Sequence, residues 1–150
     1  MINDLYQETV IDHSKRPRNF RVMNDANREA EGYNPLCGDK LKLFLKMDGE
    51  TVKEASFVGA GCAISTASAS LMTESLKGKS REQALTLLDK FHEMLTTDAE
   101  ARGDMGKLVV FCGVRDYPAR VKCATLAWHT LKTALESTDN PAEPKVVSTE

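Results

Sequence analysis

No apolar run in this sequence is long enough to cross a bilayer, and none near its start has the unbroken character of a secretory leader. The first twenty residues interleave Asp4, Glu8, Asp12, Lys15 and Arg16 with their apolar neighbours. A membrane-bound or exported protein is therefore not expected, and a cytoplasmic location is predicted. Charge of one sign is also lacking: 20 basic residues stand against 22 acidic ones, a net charge of −2. With no basic run to track a phosphate backbone, nucleic acid is not expected as a partner. There is no Cys-x-x-Cys pair, so the compact zinc-knuckle pattern is absent, and no two of His13, His92 and His129 stand at an i, i+4 spacing. Nothing marks an oxyanion hole, which weakens a Cys-His hydrolase reading, and no internal repeat or low-complexity domain is visible.

What the chain does have is four cysteines, Cys37, Cys62, Cys112 and Cys123, in 150 residues. Without export, reduced thiols are the default, and metal binding or catalysis explains them better than disulfides. The length suits one domain with one core. Residues 1–137 are predicted to form it, and 138–150, with Pro141 and Pro144, to be a flexible tail.

Residues 2–15 read as an amphipathic helix with Ile2, Leu5, Tyr6, Val10 and Ile11 on one face, stopped by Pro17. Residues 16–36 are rich in Asn, Gly and Pro and read as a loop arriving at Cys37. Leu41, Leu43, Leu45 and Met47 alternate with Lys40, Lys42, Phe44 and Lys46, the period of a half-buried strand. Asp48-Gly49 supplies a tight turn, after which Thr51–Val58 returns antiparallel. Cys37 and Cys62 are 25 residues apart, yet this hairpin brings their segments to the same end. A helix is predicted from Ala63 to Lys77, stopped by Gly78. Another follows Ser80, which pairs with Gln83 as a capping box and precedes the stripe Ala84, Leu87, Leu88, Phe91, Met94 and Leu95. Leu108–Val114 is too short and too apolar to assign. Val121, Ala124, Trp128, Leu131 and Leu135 mark a last helix beginning near Cys123. Together these elements argue α+β, a small antiparallel sheet with helices packed on one face.

Three thiols and a carboxylate, Cys37, Cys62, Cys123 and Asp39, are ligand types that could close around one tetrahedral soft metal ion. The thiolate is the form that ligates, and a helix N-terminus or a nearby cation favours it. Cys62, before a helix start, and Cys123, after Arg120 and Lys122, are both expected to have such help. Asp39 alone could equally be a turn residue; as an oxygen among sulfurs it would be the more exchangeable arm. Four anionic ligands around Zn²⁺ leave a negative site that Arg115, Arg120 and Lys122 could offset; the alternative for these three is ordinary solvated surface charge. Cys112, inside an apolar stretch, is expected to be a buried small hydrophobe, and each histidine a structural or surface residue.

Tyr6–Asn19, Asn34-Pro35-Leu36-Cys37-Gly38-Asp39, Gly59-Ala60-Gly61-Cys62-Ala63-Ile64-Ser65 and Pro118–Trp128 together resemble the NifU/IscU iron–sulfur assembly superfamily, and most closely its SufU branch. The resemblance implies an IscU/NifU-like α+β domain in which Cys37, Asp39, Cys62 and Cys123 bind one zinc ion per chain. It implies a zinc-dependent sulfurtransferase, in which Cys37 accepts persulfide sulfur from a pyridoxal-phosphate cysteine desulfurase of the SufS type and the sulfur passes to a downstream Suf assembly scaffold. In the family's scheme a histidine of the desulfurase replaces a zinc ligand and frees that thiolate. The alternative is a scaffold on which a [2Fe–2S] cluster is built with the same ligands. Scaffolds of the IscU type carry a histidine immediately before the last cysteine, whereas this chain has Lys122, a poor ligand while protonated.

Overall fold

A computed structural model describes residues 2–35, 38–96, 108, 111, 114, 117–136 and 145–148, in 2–6, 118 and 145–148 for the backbone alone. Helix α1 (Ile2–Lys15) leads into three antiparallel strands, β1 (Arg28–Asn34), β2 (Asp39–Asp48) and β3 (Thr51–Ala60). Helices α2 (Ala63–Leu76), α3 (Arg81–Thr96) and α4 (Pro118–Glu136) follow, then a short strand β4 (Lys145–Ser148). The sheet order is β3-β2-β1-β4, with β4 parallel to β1. The expected α+β class, with helices over one face of a small sheet, is what the chain adopts.

The hairpin forms as its alternation dictates. Leu41, Leu43, Leu45 and Met47 are buried on the face that receives the helices, and Leu43 lies opposite Phe57 and Leu45 opposite Ala55. On the other face Phe44 is buried as well, with the Lys42 ammonium 5.3 Å from its ring centre. The capping box at Ser80 is made in both directions: Gln83 N donates to Ser80 Oγ at 3.1 Å, and Ser80 N donates to Gln83 Oε1 at 2.9 Å. All six apolar residues of the α3 stripe are buried. Phe91 stacks on Trp128 of α4, with ring centres 4.6 Å apart, and meets Phe111 edge-on. Leu108, Phe111 and Val114, three apart like successive turns of a tight helix, all enter the core.

Four expectations change. Residues 28–34 are a strand rather than part of a loop, paired with β2 from Arg28↔Leu45 to Asn34↔Asp39. The strand is hard to see because its core-facing positions include Ala30 and Gly32, small to admit α4: a Cβ on Gly32 would lie 2.2 Å from Thr130 Oγ1 and 3.0 Å from a methyl of Leu126. Within the expected tail, Lys145–Ser148 pairs with β1 and covers its outer edge. In α1, Val10 and His13 are buried while Ile11 is 51% exposed, because the helix packs on α2 through its Val10 side. Finally, α4 starts at Pro118, so Cys123 lies in its second turn and not at its start.

Candidate metal centre

The strand register brings the site together. Asp39 opens β2 opposite Asn34, the last residue of β1, and Lys40 pairs with Ala60 at the end of β3, which puts Gly61-Cys62 beside Asp39. Asn34 is followed by Pro35, and a residue before proline is held extended. The chain then turns back sharply, with Gly38 N donating to Asn34 O at 2.8 Å.

Asp39 is fully buried, and its Oδ1 accepts a hydrogen bond from Cys62 N at 2.8 Å while Oδ2 lies 3.9 Å from Cys62 Sγ. Cys62 is exposed and is the N-cap of α2, where its sulfur accepts from Ser65 N at 3.4 Å in the place of the usual Ser or Asp oxygen. Cys123 is buried at the other side, and Asn34 Nδ2 reaches its Sγ at 4.0 Å. Ligand atoms of Asp39, Cys62 and Cys123 all lie within 4.8 Å of one another. Two sulfurs on one tetrahedral zinc, at Zn–S of about 2.3 Å, stand roughly 3.8 Å apart, so this spacing and this donor set fit a zinc-sized ion after a small closure.

Three of the four residues singled out from the sequence therefore converge. Cys37 lies outside the described residues, as do Cys112 and Arg115. The help expected for Cys123 from a helix start is not there, since it sits a turn inside α4. Arg120 is exposed, its guanidinium 4.8 Å from the ring centre of Tyr117, and Lys122 is half-buried. Asn34 was not singled out by itself, although Asn34-Pro35 opens the motif around Cys37. Ser68 was also missed: its Oγ donates to Ala124 O at 2.5 Å and accepts from Trp128 Nε1 at 3.2 Å, tying α2 to the turn of α4 that carries Cys123. Among the histidines, His13 is buried with Nδ1 2.7 Å from Ser70 Oγ. Burial, then the charges of His92 and Lys132, hold His129 below the usual imidazole range.

The NifU-like N terminal domain profile matches residues 5–137. The chain belongs to this family. Its members include a zinc-dependent sulfurtransferase SufU from Bacillus subtilis, 42% identical over 87% of this chain and 89% of that protein. An iron–sulfur cluster assembly scaffold protein IscU from Streptococcus pyogenes is 41% identical over 93% of this chain and 87% of that one. The crystal structure of an iron–sulfur cluster assembly scaffold protein for the SUF system from Fervidobacterium islandicum superposes with a TM-score of 0.82, at 35% identity, over 89% of this chain and 98% of that one. No helix among the described residues of this NifU-like domain is long and apolar enough to cross a membrane.

Proposed function

We propose that this protein is a zinc-dependent sulfur carrier for iron–sulfur cluster assembly. Cys37, Asp39, Cys62 and Cys123 hold one zinc ion, and Cys37 accepts the sulfur. The observation that carries the reading is the convergence of Asp39, Cys62 and Cys123 within 4.8 Å around an end of the sheet that is open at Cys62. Lys122, in place of a histidine ligand before Cys123, favours this reading over a cluster scaffold, and the zinc-dependent sulfurtransferase among the relatives supports it.

Zinc, when bound, keeps the thiols deprotonated yet masked from solution. The remaining work falls to the chain. Asp39 has one oxygen committed to the Cys62 amide, which leaves Oδ2 facing Cys62 Sγ as the single oxygen arm among sulfurs, the easiest to exchange. Asn34 donates toward Cys123 Sγ and keeps that sulfur on the buried side. The Cys37 thiolate attacks the outer sulfur of a persulfide on a pyridoxal-phosphate cysteine desulfurase of the SufS type. A new S–S bond forms at Cys37, the donor's S–S bond breaks, and the donor cysteine leaves as a thiolate. A downstream Suf scaffold then takes the sulfur, and Arg120 and Lys122 lend electrostatic support. The protein works in the cytoplasm, where thiols stay reduced.

The test is to incubate the zinc-loaded chain with a desulfurase and free cysteine and to map each cysteine by mass spectrometry. A gain of one sulfur atom at Cys37, lost in Cys37→Ala, is expected. A brown, iron-binding protein that is active without zinc would establish the [2Fe–2S] scaffold instead.

A further inference from the structure

His92 and His129 are far apart in sequence, take no part in the site above, and meet at the α3–α4 crossing. Their ring centres are 5.8 Å apart, with ring planes at 66°. The residues just before them, Phe91 and Trp128, form the stacked pair at the centre of the same crossing, both essentially fully buried. The backbone of each histidine is therefore fixed by one of the largest side chains of the core, and the pair is pre-organised rather than assembled from mobile surface groups. Packing does not account for the pair: the helical stripe that fills the core is complete without His92, which stands exposed beside Phe91 with its ring in reach of water.

Two imidazoles sharing one ion at a Zn–N distance of about 2.0–2.1 Å hold their ring centres roughly 5–6.5 Å apart. The observed separation falls inside that range. We propose that His92 and His129 form a second metal site, a two-histidine clip between helices for a borderline divalent transition ion such as Zn²⁺, Ni²⁺ or Cu²⁺. Among the described residues no third His, Cys, Asp or Glu groups with them, so water completes the coordination shell and the ion stays exchangeable. Lys132, whose charge bears on His129 from the next turn of α4, tempers the affinity. The clip is separate from the cysteine centre, because six residues along α4 from Cys123 to His129 amount to about 9 Å of rise and a different face of the helix.

Equilibrium dialysis of the full chain against Zn²⁺, with bound metal counted per chain, tests the site. A second, weaker equivalent is expected beyond the one bound by the cysteines. His92→Gln and His129→Gln should each weaken that second equivalent by about tenfold or more and leave the first and the far-ultraviolet circular dichroism unchanged. Cys62→Ser should remove the first equivalent and keep the histidine-dependent one, so the two sites fail separately. A chain that takes up no second equivalent, or one whose second equivalent binds as tightly in either histidine variant as in the unsubstituted chain, overturns the proposal.

Discussion

A Cβ added at Gly61 would lie 2.7 Å from Asp39 Oδ1 and 3.1 Å from its Cγ, closer than a real side chain tolerates. The absent side chain is what lets the buried carboxylate reach the Cys62 amide. Gly61→Ala should therefore displace the Asp39 arm while leaving the hydrophobic core alone, and weaken zinc binding by about 10–100-fold, the usual cost of disturbing a group that orients a ligand. Competition against a chromophoric chelator measures this; an unchanged affinity would mean Asp39 is not a ligand. Asn34→Ala should cost a similar factor by removing the donor next to Cys123 Sγ. Cys62 and Cys123, which the structure groups with Asp39, stood out as candidate ligands because cysteine announces its chemistry by type, whereas Asp39 read equally as a turn residue until the family resemblance was added. Asn34, Gly61 and Ser68 were not legible, because their roles arise from strand register and helix crossing, which bring together residues distant along the chain.

Between elements, the α1–α2 contact converges on Ser70. Its Oγ accepts from Arg18 N at 2.8 Å and meets His13 Nδ1 at 2.7 Å, and Arg18 in turn pairs with Asp12 at 2.7 Å. Ser70→Ala strips a partner from each of two groups, and a loss of about 1–3 kcal/mol in urea unfolding is expected. Hydrogen bonding from Arg18 holds the Asp12 carboxyl below its ordinary 3.8. A depressed carboxyl contributes stability that is complete above its unfolded value and lost as pH falls through its folded one. Asp12→Asn should thus flatten the acid limb of the stability curve below about pH 4 and leave neutral pH nearly unaffected. A limb identical to wild type would show that the pair contributes nothing. At this scale, elements with a clean period were readable: β2 with its alternating leucines, and α3 with its stripe and capping box. Strand β1 was not, since Ala30 and Gly32 are chosen by the helix above them and not by strand propensity. Strand β4 was hidden because only a neighbour's free edge makes a strand of Lys145–Ser148.

The site lies where three otherwise separate pieces of chain meet: the start of β2, the N-cap of α2 and the second turn of α4. An ion bound there ties the sheet to both helices that cover it, and binding only the folded chain adds RT ln(1 + [L]/Kd) to its stability. At a free zinc concentration of ~1,000 Kd this is about 4 kcal/mol, which for a chain of this size shifts the melting midpoint by roughly 8–16 °C. Dialysis against a chelator should lower the midpoint accordingly, and zinc should restore it. With His92→Gln also present to remove the histidine clip, Cys123→Ser should melt at the same temperature with and without the chelator, because the ligand from α4 is gone and the remaining groups no longer span the three elements. If the wild-type midpoint is indifferent to chelation, the metal is not held between these elements, whatever the thiols do chemically. If the double variant still responds, Cys123 is not part of the clasp.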